Sequence, residues 1–489
     1  MVKRTPKLNI SEAEIRAVYC QGEDAVVELV SALVSRLAAV ESRLEKLENQ
    51  QRKNSRNSSK PPSGDGFGKR TRSLRKKSER KSGGQRGHQG ATLEWCEQID
   101  EVVTHAVNDC HRCGASLASV SALEHERRQV HELPPLRLQI VEHQVEVKCC
   151  PICTAMSRGT FPADVTVPVQ YGSGLRGLMV YLMNAQLLPS DRTREVLSEV
   201  FDCEVSEGTL YNARAQCFEQ LEPIEQQIKQ RLSSAAVLHC DETGLRVNRK
   251  LWWLHVASTS ELTYYFVHPK RGQVAINEMA VLPTFGGVSV HDGWASYFKY
   301  SCTHALCNAH HLRELRFIAE RYEQPWATAM TRVLATIKAQ VDRAKAAGQT
   351  ALDKVQRLGF KVLYQALLAN GFEANPPPTV VADAPKKRGR AKQSPPKNLL
   401  DRLSLRETAV LAFMDDFRVP FDNNQAERDI RMMKLKQKIS GCFRSANGAR
   451  QFCRIRGYIS TLRKQSLSVL DALKHTFIGK PILPALQPE

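Results

Sequence analysis

No stretch of this chain approaches the roughly 18 to 20 consecutive apolar residues needed to cross a bilayer, which excludes a membrane span. The opening residues, MVKRTPKLNI, lack the apolar core of a secretory signal. A cytoplasmic setting is therefore expected, in which the 14 cysteines are thiols or metal ligands rather than disulfides. Acidic residues are in short supply, 51 against 70 lysines and arginines, and the net charge of +19 favours a polyanionic partner over a neutral small substrate. Nucleic acid leads that class, and association with the nucleoid follows from it. From about 51 to 91 the chain also lacks large apolar side chains, so this segment buries no core and reads as a flexible linker. Its basic run KRTRSLRKKSERK suits phosphates of any sequence, or simple solvation.

What is present points to several domains, because 489 residues exceed what one hydrophobic core usually holds. Within residues 22–50, Val26, Val30, Leu33, Leu37, Val40, Leu44 and Leu47 alternate at spacings of four and three, a coiled-coil seam that predicts self-association. Within 100–160, Cys110 and Cys113 form one CxxC pair and Cys150 and Cys153 another. Four soft thiolates suit a closed, structural zinc site, although the 36-residue gap is long and Cys149 is a competing ligand. Within 170–230, RTREVLSEVF, the turn DCEVS and EGTLYNARAQ have the form of a helix-turn-helix, with Ser206 as cap and Arg214 available to a groove. A Pro-rich basic connector between Asn375 and Asn398 contains Arg388-Gly389-Arg390, which suits an A·T-rich minor groove.

The chemistry lies further on. In AVLHCDETGLRV an apolar run ends at Asp241, followed by turn-forming Glu242, Thr243 and Gly244, and in GVSVHDGW a second ends at Asp292. Adjacent strands ending at one sheet edge would bring these carboxylates together, where they repel unless a cation such as Mg²⁺ intervenes. The third acid is expected in VPFDNNQAERDIRMMKLKQKISGCFRS, on a helix capped by Asp422 or Asn423 and ended by Gly441. There Glu427 shares a face with Arg431, Lys434 and Lys438, at i+4, i+7 and i+11. A carboxylate on a cationic stripe suits a metal ligand beside bound phosphates. The plainer alternatives are turn residues for the two aspartates and a helix salt bridge for Glu427.

Taken with GGQRGHQG, the cysteine pairs and LCNAHHLREL, these segments resemble the bacterial DDE transposases of insertion-sequence family sixty-six, nearly end to end. The resemblance implies a multidomain α/β protein whose catalytic domain, residues 231–445, is ribonuclease H-like, with a helical insertion at about 316–400 and a C-terminal helical segment from 446 to 489. It implies that Asp241, Asp292 and Glu427 hold two Mg²⁺ or Mn²⁺ ions, cut at terminal inverted repeats and join the freed 3′-hydroxyl to target DNA. Arg428, Arg431, Lys434, Lys438, Arg444 and Lys464 would hold the DNA backbone. Cys307 and His310 form a Cys-x-x-His pair, expected to support the site or merely pack in the core, and two ligands short of a zinc site. The resemblance also brings small companion proteins of the same element. Two other classes fit the same features: a DNA-binding regulator with structural acids, and a structure-selective nuclease that releases cut ends.

Overall fold

The computed structural model describes residues 11–54, 56–58, 93–134, 136–377 and 393–484. The linker beyond Ser58 and the Arg388-Gly389-Arg390 tripeptide lie outside the described residues. The chain divides into two compact units, the larger taking in the N-terminal helices, Tyr171–Pro189 and everything from Tyr211 onward, the smaller reaching Gln170 and including Ser190–Leu210.

Helix α1 (Glu12–Tyr19) opens with a capping box in which Ser11 and Glu14 satisfy each other's backbone N–H groups. Helix α2 (Glu23–Arg52) carries the whole heptad seam and buries none of it. Val30, Leu33, Leu37, Val40, Leu44 and Leu47 are all exposed. Its C-terminal end is tied down: Glu48 pairs with Arg321 at 2.7 Å, Asn49 donates to the Tyr322 hydroxyl at 3.2 Å, and Lys53 lies over the Phe317 ring.

In the smaller unit the two CxxC segments fold as matching turns. Gly114 N–H donates to Cys110 O and Thr154 N–H to Cys150 O. The second turn joins the short antiparallel strands β1 (Val147–Cys149) and β2 (Met156–Arg158). Nearly every residue from 93 to 170 is exposed, so this segment has no apolar core of its own.

Helices then follow closely: α3 (Ser173–Val180), α4 (Ser190–Phe201), α5 (Glu207–Gln220) and α6 (Glu222–Ser233). The expected helix-turn-helix segment is α4, a five-residue turn and α5, and Ser206 Oγ accepts the N–H of Thr209 at 3.0 Å. Arg194 closes the turn by donating to Val205 O. Arg214, expected to face a groove, instead donates to Gln451 Oε1 at 2.9 Å and stacks on Tyr211.

Among the described residues of the larger unit, one mixed sheet of five strands forms the centre. Strands β3 (Val237–Val247), β4 (Lys250–Ser258) and β5 (Thr263–His268) make an antiparallel meander, turning between β3 and β4 at Asn248 and Arg249, both at positive φ. Helix α7 (Gln273–Met279) carries the chain across to β6 (Val288–His291), parallel to β3, and β7 (Thr303–Leu306) adds a further parallel strand. The order across the sheet is β5-β4-β3-β6-β7. Gly287 is required where β6 enters, since a Cβ there would meet Ala235 O at 2.5 Å and Ala236 O at 2.6 Å.

A run of helices follows β7 and spans the insertion expected at about 316–400. It begins with α8 (Asn308–Tyr322), directly after β7, and continues through α9 (Pro325–Ala346), α10 (Lys354–Ala374), α11 (Pro395–Leu405) and α12 (Glu407–Asp415). Its core of Leu315, Trp326, Leu334, Tyr364, Leu400, Leu411 and Met414 is continuous with Val290, Ala305 and Leu306 of the sheet. Apolar positions on β7 and α8 therefore share one core with the helices that follow.

Helix α13 (Asn424–Ser440) ends at Gly441, whose φ of +67° favours glycine, as the sequence implied. Ala426, Ile430 and Met433 of α13 bury against Leu245 and Val247 of β3 and Leu254 and Val256 of β4. Helices α14 (Ala446–Lys464) and α15 (Val469–Phe477) complete the chain, and α14 packs on β5 so closely that a Cβ at Gly457 would meet Thr263 O at 3.2 Å. Helices α14 and α15 thus belong to the larger unit.

Candidate active site

The parallel pairing of β3 with β6 leads toward both aspartates. His239 on β3 pairs with Val290 on β6, and Asp241 follows two residues on in β3 while Asp292 follows just past the end of β6. Side chains alternate along a strand, and Asp241 therefore shares the face of His239 and Leu245, the face that α13 covers. Asp292 lies one residue beyond β6, and its Oδ1 accepts the N–H of Trp294 at 2.9 Å. Asp241 is not at a strand end as expected: β3 runs on through Glu242, Thr243 and Gly244, held by antiparallel pairing of Asp241 with Val256 and Gly244 with Trp253. The supposed turn formers are overridden by the backbone ladder with β4.

Asn423 brings in the third acid. It occupies the N-cap position of α13 but its side chain makes no cap. Its Oδ1 meets His239 Nδ1 at 2.8 Å, its Nδ2 donates to Cys240 O at 2.8 Å, and its backbone N–H points at Cys307 Sγ at 3.1 Å. Asp422 turns the chain instead, accepting the N–H of Asn424. Glu427, one turn into α13, then lies 3.8 Å from His310 Nδ1 and 3.6 Å from the Arg313 guanidinium.

Burial raises the Asp241 carboxyl well above the ordinary carboxylate range, and the neighbouring charges of Glu242, Asp292 and Glu427 push the same way, while the Glu242 N–H opposes them. Hard oxygen donors brought near one another in this way fit a divalent cation. As they stand, the three carboxylates do not form a group within 4.8 Å of one another among the described residues; Cys307, His310 and Glu427 do. The sequence offered Cys307 and His310 as a pair, and tertiary structure supplies the third donor. Burial pushes the Cys307 thiol up to about 12.

Sequence reasoning missed a second layer. Glu242 projects to the opposite face of β3 from Asp241, with only 1% of its side chain exposed, and pairs with Arg271 at 2.6 and 2.9 Å. Tyr297 donates its hydroxyl to the other Glu242 oxygen. Arg271 is sandwiched between the rings of Trp253 and Trp294, at 4.9 and 4.3 Å. The alternation through Leu245 and Val247 was the signal that β3 continues and that Glu242 turns inward.

The basic residues divide. Arg428, Arg431, Lys434, Lys438 and Arg444 are exposed, although Lys434 Nζ donates to Gly244 O at 3.0 Å. Lys464 does not belong with them: it is buried against Asp429 at 2.8 Å and donates to Thr259 O and Leu262 O, so it is a structural pin of α14. Within the smaller unit, Cys110 with Cys113 and Cys150 with Cys153 lie in their own turns, and no three of those thiols lie within 4.8 Å of one another.

Asp241, Asp292 and Glu427 are thus partly buried acids carried by β3, the residue just past β6, and α13. Residues 168–451 match the Transposase IS66 family, and the chain belongs to that family: it is a transposase, a DNA-processing enzyme. Residues 4–94 match a Family of unknown function (DUF6444). No curated protein matches the chain. No helix among the described residues is long and apolar enough to cross a membrane.

Proposed function

We propose that this transposase works by the DDE route, with Asp241, Asp292 and Glu427 as its metal-holding acids on a ribonuclease H-like sheet. The observation that supports the proposal is the parallel pairing of β3 with β6, after which Asp241 and Asp292 follow, with Asp292 and Glu427 both near enough to raise the Asp241 carboxyl. The five-strand order with an antiparallel meander followed by two parallel strands supports the fold assignment. Two Mg²⁺ or Mn²⁺ ions held by these acids would supply an activated water or 3′-hydroxyl and stabilise the leaving oxygen of an in-line displacement. The chain's own residues do the rest. Asn423 keeps the Glu427 helix against β3. Arg428, Arg431, Lys434, Lys438 and Arg444 bind the phosphate backbone, positioning DNA without reading its sequence.

The remaining modules extend this reading. The α4–α5 pair is a candidate reader of the terminal inverted repeats, supported by its short capped turn and without a contribution from Arg214. The exposed seam of α2 supports homo-oligomerisation through a coiled coil. The matching cysteine turns, in a segment with no apolar core, suit a structural zinc ion whose binding would itself order them. Target DNA, small companion proteins of the element and a nucleoid-associated, cytoplasmic location complete the proposal.

The test is Mg²⁺-dependent strand transfer of labelled terminal-repeat DNA into a plasmid by the wild type, Asp241→Ala, Asp292→Ala and Glu427→Ala, with companion proteins supplied. Joined products from the wild type alone support the reading. Cut but unjoined ends favour a nuclease, and binding without cutting favours a regulator.

A further inference from the structure

Two buried atoms in the larger unit make no hydrogen bond although they face each other: His310 Nδ1 and Glu427 Oε1, 3.8 Å apart. That separation is too long for a direct hydrogen bond and suits two donors sharing a third partner. Cys307 Sγ lies with them inside a 4.8 Å group. The three sit on two elements fixed relative to each other. Cys307 is the N-cap of α8 and His310 lies one turn on, so both project from the same end of that helix, while Glu427 comes from α13. The Asn423 N–H pointing at Cys307 Sγ ties the two elements together.

The geometry points to a zinc-class divalent cation site formed by Cys307, His310 and Glu427, separate in chemistry from a hard-oxygen magnesium centre though it shares one carboxylate. Sulfur, imidazole nitrogen and carboxylate oxygen are the donor types a borderline-soft ion accepts, and Mg²⁺ has no use for the first. Three protein ligands leave a fourth position for water or substrate. Burial keeps Cys307 a thiol while the site is empty, and binding of the ion displaces its proton to solvent, the Asn423 N–H then supporting the thiolate. Arg313, 3.6 Å from the same glutamate oxygen, is the competing cation and makes no hydrogen bond to it, so the oxygen is not saturated. Binding at this site does not depend on the catalytic role proposed for Glu427. Occupancy would, however, draw that carboxylate toward α8.

The test is cobalt titration of the full-length wild type, Cys307→Ser and His310→Gln, read by absorption and by bound metal per chain. Metal held by the four cysteines of the smaller unit is common to all three proteins and cancels in the difference. The expected result is one tightly bound cobalt fewer in each variant, with the wild-type-minus-variant spectrum showing thiolate-to-cobalt charge transfer and tetrahedral bands. Equal stoichiometry and superimposable spectra overturn the proposal and assign the gap to a bridging water. Should Cys307→Ser fail to fold, His310→Gln carries the test alone, because His310 Nδ1 has no hydrogen bond to lose.

Discussion

Asn423 Oδ1 meets His239 Nδ1 at 2.8 Å, and through that contact the helix bearing Glu427 is fastened to the strand bearing Asp241. Asn423 is buried and His239 partly so, and the contact fixes position as well as adding stability. Asn423→Ala strands the Cys240 carbonyl and the His239 ring. A loss of roughly 1–3 kcal/mol per unsatisfied buried group is expected, seen as a lower midpoint in urea denaturation. An unchanged midpoint would mean that α13 is held by its apolar face alone.

Asp241→Asn should separate stability from activity. Its carboxyl is disfavoured by burial and by three neighbouring carboxyl groups, so in metal-free buffer the variant should melt at or above the wild-type temperature. Added Mg²⁺ should raise the melting temperature of the wild type and not of the variant, as binding to the folded state requires. Strand transfer should fall below one part in a thousand. A variant that still responds to Mg²⁺ would remove Asp241 from the metal-holding set.

Breaking the Glu242 pair should be costly. Arg271→Ala leaves a carboxylate that is 1% exposed without its cation, and a loss of roughly 3–5 kcal/mol is expected. Glu242→Gln combined with Arg271→Met, which removes both charges, should recover much of it. If the single and double variants unfold at the same denaturant concentration, the cost comes from lost tryptophan stacking.

Acid should weaken the fold through buried neutral histidines. Burial holds His255 at about 4, below its ordinary value. The unfolded chain therefore takes up this proton first as pH falls, and stability is present above about 6.5 and drains away toward 4. For this residue the loss is of order 3 kcal/mol. His255→Asn should flatten the curve of unfolding free energy against pH in that window. A curve of unchanged slope would show that His255 protonates as easily folded as unfolded.

The α2 seam gives the last prediction. Leu37 is exposed at the middle of a heptad pattern, and Leu37→Glu places a charge where a partner helix would pack. Sedimentation velocity should show the wild type larger than one chain and the variant shifted toward monomer, with the circular dichroism of the rest unchanged. Identical sedimentation would leave the seam without a role in self-association.

Local pattern carried much of this protein. The strands that carry Asp241 and lead into Asp292, the helix that bears Glu427, the cap at Ser206 and the stop at Gly441 were legible, because each depends on neighbours within a few residues. Tertiary structure decided the rest. The β3 strand runs past Asp241 because β4 completes its ladder, and this turns Glu242 inward onto Arg271. Lys464 looks like a DNA-binding lysine until Asp429 and two carbonyls enclose it. Cys307 and His310 remain an incomplete pair until α13 delivers Glu427 from a distant part of the chain. Charge and periodicity are properties of a segment, whereas burial and partnership belong to the fold, and it is these that separate a ligand from a surface charge.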